Sequence, residues 1–182
     1  MACNPNGDSP MSSILKVDTI QTTAGAAPSA IDLGLDVSGT ILKMHRHAWS
    51  NEYAIPNNSS SLASITGSSF SFTPKSASST LIIVSDISCR INGNQDGLMF
   101  LHYVAGSSIS HYNNYAHEIY FNTNSDNDIY FRQTKSDTYS NTSSSAKTIE
   151  LYARDYRADG GGDHKINVSG RFASATIVYE IG

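Results

Sequence analysis

Cysteine is nearly absent from this chain, with Cys3 and Cys89 the only two in 182 residues. That excludes a disulfide framework, and the two read as an unpaired terminal thiol and a small buried apolar side chain respectively. Charge is sparse too, at 15% of residues, and the 12 Lys and Arg are scattered among 16 Asp and Glu. Nowhere do basic residues cluster as a phosphate backbone demands, which excludes nucleic acid as a partner. No apolar run approaches the ~18 to 20 residues that cross a bilayer, so membrane insertion is not expected. Met1 to Pro10 lack the basic and apolar regions of a signal peptide, and the sequons at Asn57, Asn58, Asn141 and Asn167 therefore carry little meaning.

Chemical motifs are equally scarce. Ser, His and Asp are common, yet there is no Gly-x-Ser-x-Gly elbow and no pair of carboxylates placed for glycoside hydrolysis. The expectation is a protein without catalytic residues and without a cofactor. Asp159-Gly-Gly-Gly-Asp163-His164 offers two carboxylates in a flexible stretch, fewer than a calcium loop needs, and reads as a long hairpin turn. His45-Arg46-His47 is the one metal candidate. Residues two apart on a strand share a face, so three copies around an axis would converge six imidazoles on one transition ion. Without such an axis the two histidines simply occupy a solvent face or bond locally.

What the chain does have is Ser, Thr, Asn, Gly and Asp in quantity, residues that favour turns and strand faces over helix interiors. No window carries a helical period. Strands are expected over residues 40–47, 62–66, 69–73, 80–87, 98–104, 107–112, 118–122, 128–133, 147–153, 165–169 and 173–181, separated by turn clusters such as Ile55-Pro-Asn-Asn58, Asn92-Gly-Asn94 and Ala105-Gly106. Leu81 to Val84 is continuously apolar, as in a strand buried on both faces, whereas Ala175, Ile177, Tyr179 and Ile181 alternate as a half-exposed strand does. A terminal strand pairing with an early central one suits a jelly roll. The fold class expected is all-β: a jelly-roll-like antiparallel sandwich over residues 40–182, preceded by an extended arm over residues 1–39.

The arm is apolar in pieces too short to bury themselves. Ile14, Leu15, Val17 and Ile20 put an apolar residue on each strand face, and Leu33, Leu35 and Val37 alternate with small or charged neighbours. These seven are the expected interface with sister copies. An aromatic group, Tyr103, Tyr112, Tyr115, Tyr120, Phe121, Tyr130 and Phe131, falls mostly on expected strands and so mostly packs. Tyr112 and Tyr115 flank Asn113-Asn114 and are the candidates for contact with an outside receptor.

The run Ser12-Ser-Ile-Leu-Lys-Val-Asp-Thr-Ile-Gln-Thr-Thr-Ala-Gly-Ala-Ala-Pro28, continuing to Leu42, resembles an N-terminal module of tail-fibre-like structural proteins of marine and cyanobacterial phages. Ser71-Phe-Thr-Pro-Lys-Ser-Ala-Ser-Ser-Thr-Leu-Ile-Ile-Val84 and Ser174-Ala-Thr-Ile-Val-Tyr-Glu-Ile-Gly182 look like strands of the β-domain that follows it, while residues 86–171 match only in style. His45-Arg46-His47 departs from the apolar or neutral residues usual there. The resemblance implies a homotrimeric, non-enzymatic virion component, made in the host cytoplasm and docked by residues 1–39 to other tail or capsid proteins. It implies a host-surface glycan as a further partner. A capsid decoration or head-fibre protein, and a monomeric carbohydrate-binding module, are the two alternatives.

Overall fold

The structure is a computed structural model in which residues 39–56, 61–92, 96–109, 118–121, 128–155, 164–168 and 172–182 are described. The chain divides into Met1–Val37 and Ser38–Gly182, and every described residue belongs to the second unit. The arm residues Ile14, Leu15, Val17, Ile20, Leu33, Leu35 and Val37, together with Tyr112 and Tyr115, lie outside the described residues.

Twelve strands follow one another without a helix among the described residues: β1 (Ile41–Trp49), β2 (Tyr53–Ala54), β3 (Ala63–Ser64), β4 (Phe70–Phe72), β5 (Thr80–Ile91), β6 (Asp96–Val104), β7 (Ser107–Ser108), β8 (Glu118–Phe121), β9 (Ile129–Ser140), β10 (Lys147–Asp155), β11 (Lys165–Ile166) and β12 (Ser174–Ile181). All pairings are antiparallel. The first sheet runs β1-β12-β5-β9, with the two-residue strands β2 and β11 extending the β1 and β12 rows. In the second, β3 and β4 share one side of β10, β6 lies on its other side, and β7 and β8 share the far side of β6.

Each sheet therefore has four lateral positions. Along the chain these alternate so that the first, eighth, third and sixth positions make one sheet and the second, seventh, fourth and fifth make the other. That is the jelly-roll order, two interleaved Greek keys. The chain end pairs with β5 on one side and β1 on the other.

The strands depart from the sequence reading in several places, three of which have a plain physical reason. β9 runs seven residues beyond the expected Gln133 because Lys135 and Asp137, which break any apolar period, are the inward-facing residues there. β2 has two residues and too little sequence to show a pattern. The run Leu81 to Val84 is not buried on both faces: Leu81 and Ile83 are fully interior, while Ile82 and Val84 lie half-buried on the outside of the sheet.

Two turn positions need special backbone. Ala105 and Gly106 both have positive φ, at 51° and 79°, which gives the β6–β7 hairpin the twist that two-residue connections require. Asn167, at φ 52°, is fully buried and its side chain bridges the Trp49 carbonyl and the Ser174 hydroxyl. The sequon at Asn167 is thus an interior brace. The turn at residues 74–79 is held by Glu180, whose buried carboxylate accepts from the Lys75 and Ser76 N–H groups and from the Ser79 hydroxyl at 2.8 to 2.9 Å.

Candidate functional site

Alternation along the first sheet decides which residues meet outsiders. On β12 the buried set is Ser174, Thr176, Val178 and Glu180, and the more apolar set Ala175, Ile177, Tyr179 and Ile181 points outward, half-buried. Register carries the pattern across neighbouring strands: Tyr179 stands beside Met44 on one side and Ile82 on the other, and Ile177 beside Arg46 and Val84. Ile41, opposite Ile181, is 56% exposed and Met44 is 63% exposed. A stripe of large apolar side chains therefore crosses the outer face over β1, β12 and β5. It fades at β9, where Thr134, Ser136, Thr138 and Ser140 face outward. Such a stripe is a candidate contact surface.

His45 and His47 do share a face, but it is the inner face of the sheet edge. Both rings stack on Phe70, with centroids 5.2 and 4.8 Å away, and His47 also stacks on Trp49. The His47 Nε2–H donates to the Gly67 carbonyl at 2.8 Å. Lys43 continues the column over the Phe72 ring and donates to the Thr73 carbonyl. Together these contacts zip the β1 edge to β4. No cluster of three or more metal-ligating side chains occurs among the described residues.

Between the sheets lies a constellation that sequence spacing does not reveal. Ser85 from β5, His102 from β6 and Lys135 and Asp137 from β9 meet in the sandwich interior, all buried. The Ser85 Oγ is 2.7 Å from His102 Nε2, and His102 Nδ1 is 2.7 Å from Asp137 Oδ2. Lys135 Nζ donates to the other carboxylate oxygen at 2.6 Å, and Thr176 Oγ1 sits 2.7 Å from Ser85 Oγ. A carboxylate only accepts, so His102 carries a proton on Nδ1, and Ser85 links the His102 Nε2 to the Thr176 hydroxyl. Burial works to raise the Asp137 carboxyl, but the hydrogen bonds and charges of His102 and Lys135 outweigh it and hold the group below the usual carboxylate range.

Serine, histidine and aspartate are thus in the order and spacing of a hydrolytic triad. Here the arrangement is enclosed inside the sandwich. Ser85 and His102 are 0% exposed, and the Ser85 hydroxyl lies between Thr176 and His102. The layer instead separates two apolar clusters. Ile87, Phe100 and Leu151 belong to one, and Ile83, Val104 and Ile149 to the other, with Ser85 and His102 between them on β5 and β6. Since His102 comes from the other sheet than Ser85 and Asp137, a slip of one sheet along the other would part it from both in the buried interior.

The signal for this layer was present in the sequence as polar residues in phase with apolar ones: Ser85 within Leu81-Ile83-Ser85-Ile87, and His102 within Leu98-Phe100-His102-Val104. Of the aromatic group, Tyr103 stacks on Tyr152 with centroids 4.0 Å apart, Phe131 packs against the core, and Tyr130 is 36% exposed. Tyr120 and Phe121 fall in β8, whose side chains lie outside the description. Cys89 is the buried apolar residue expected, and burial pushes its thiol far above the ordinary range.

No protein-family model matches this chain, and no curated protein does. Among solved structures, dimeric latent PorU from Porphyromonas gingivalis matches with a TM-score of 0.35 and 12% identity. The match covers 90% of this chain and 14% of PorU. A likeness that distant carries no argument about this protein.

Proposed function

We propose that the chain is a non-enzymatic structural subunit of a bacteriophage particle, a short trimeric tail-fibre-like appendage held to the virion by residues 1–39. The observation that carries the assembly part of this reading is the apolar stripe on the outer sheet face, with Met44 63% and Ile41 56% exposed beside Tyr179 and Ile181. Closed threefold symmetry would bring that stripe against sister copies around one axis and protect the β1 edge from open-ended pairing. The jelly roll, a fold that recurs in capsid and lectin domains, is compatible with the same role. The resemblance of residues 12–42 to phage fibre modules supplies the viral part.

The test is the mass of the full chain in solution by light scattering. Three times the 19.6 kDa chain mass is expected, and Met44→Asp should bring it down to one. Met44 is mostly solvent-exposed in the single chain, so the substitution should cost the fold no more than ~0.5 kcal/mol. A wild-type mass of one chain would overturn the trimer. Labelled antibody on intact particles separates tail from head, and labelling at the head would replace the tail-fibre reading with a capsid decoration protein.

A further inference from the structure

Farther along the outer face of the first sheet the surface changes character. Past the small residues Ala48 and Ala175, the Arg132 side chain grips Asp86 through Nε at 2.9 and 3.0 Å and through Nη2 at 2.5 Å. The Arg132 Nη2 also reaches the Ala173 carbonyl at 3.3 Å, tethering the segment that carries Phe172. Between them opens a cleft of about 140 Å³, lined by Ser88, Tyr130, Phe131, Arg132 and Phe172. Phe172 is 46% exposed and Tyr130 36% exposed, and the Tyr130 hydroxyl donates to Asp128 at 3.3 Å, which orients its ring.

We propose that this cleft binds one neutral sugar ring of a glycan. Aromatic side chains offer flat apolar faces that match the C–H face of a pyranose. The guanidinium and carboxylate beside them are planar groups with two donors and two acceptors in fixed geometry, suited to neighbouring hydroxyls. Their side chains are 47% and 48% exposed, so both retain sites toward solvent while holding each other in place. The Arg132 charge is already matched by Asp86, which removes the unpaired cation that an acidic sugar would select. At about 140 Å³ the cleft is well below the ~300 to 1,000 Å³ that encloses drug-sized ligands, so it takes no more than a single ring and holds it weakly. Its position, about four residues or ~13 Å along β5 from Val84, leaves it clear of the apolar stripe. This reading stands whether or not the chain is a virion subunit.

The experiment is saturation-transfer difference NMR on the full chain with the methyl glycosides of glucose, galactose and mannose at ~10 mM, and with the methyl glycosides of glucuronic and sialic acid as the acidic arm. At least one neutral glycoside should show saturation concentrated on ring C–H protons. Phe172→Ala and Tyr130→Ser should each abolish that transfer with thermal unfolding unchanged. Asp86→Asn should weaken the neutral ligand at least fivefold and admit the acidic sugars. No transfer to any of the three neutral glycosides, preference of the wild type for the acidic pair, or transfer that survives the Phe172 and Tyr130 changes together would each overturn the proposal. None of these results bears on the light-scattering mass, so the two readings fail separately.

Discussion

Removing Asp137 tests what the polar layer contributes to the fold. In Asp137→Ala the Lys135 ammonium, 1% exposed, and the His102 Nδ1–H lose their shared acceptor in the middle of the sandwich. Breaking a buried ion pair from one side costs ~3 to 5 kcal/mol, because the remaining charge stays desolvated. Against the ~5 to 15 kcal/mol of a whole domain that is a large share. For a domain of this size it corresponds to a fall of about 10 °C in Tm. Lys135→Met alone should also be costly, since it leaves the carboxylate with His102 only. The informative variant combines Lys135→Met, Asp137→Val and His102→Leu, replacing the charged part of the layer with apolar side chains of similar bulk. If the penalty of each single change comes from a stranded partner, the triple variant lies within ~2 kcal/mol of wild type, far less than the sum of its parts. Trp49 is the only tryptophan and is 4% exposed, so its emission reports urea unfolding cleanly. A loss under ~1 kcal/mol for Asp137→Ala, or a triple variant that loses the summed penalties or fails to fold, would refute the reasoning.

Acid should weaken the protein in a defined direction. Burial works to raise the Glu180 carboxyl, but its bonds from the Lys75 and Ser76 N–H groups and the Ser79 hydroxyl prevail, so both it and Asp137 are held below the usual range. The unfolded chain then takes up protons first as pH falls. The stabilisation is complete above the ordinary carboxylate value of ~4 and is lost as pH drops through the lower folded values. Thermal unfolding should hold level from about pH 7 to 5 and fall below about pH 4, and Glu180→Gln should lower the neutral plateau and flatten the acid limb. A second expectation concerns Cys89. In a Cys3→Ser background a disulfide-exchange reagent should leave the folded protein unmodified and titrate one thiol once guanidinium unfolds it, because burial keeps the Cys89 thiolate from forming.

The all-β class was readable from residue types alone, since turn formers between short alternating runs leave no other regular structure to build. Eleven of the expected strands coincide with observed ones, and β5 with β12 pairs as a terminal strand with an early central one. Alternation also told which residues of β12 form each face. It did not tell which face is inside. Ile177, Tyr179 and Ile181 are the more apolar set by composition, yet Thr176 and Glu180 are the buried ones, because Thr176 bonds Ser85 on β5 and Glu180 bonds the turn at residues 74–79, which satisfies both in the interior.

The same reason divides the two levels throughout. Local spacing and propensity act between neighbours in the chain, so the sequence by itself determined eleven of the twelve strands, the turn at Ala105-Gly106 and the buried state of Cys89. The polar layer brings together Ser85, His102, Asp137 and Thr176 from four strands, and the cleft joins Asp86, Tyr130, Arg132 and Phe172. Partners so far apart are chosen by strand order and register, which depend on how both sheets close around one core. Only the tertiary structure decided them, and with them which apolar residues remained on the outer face.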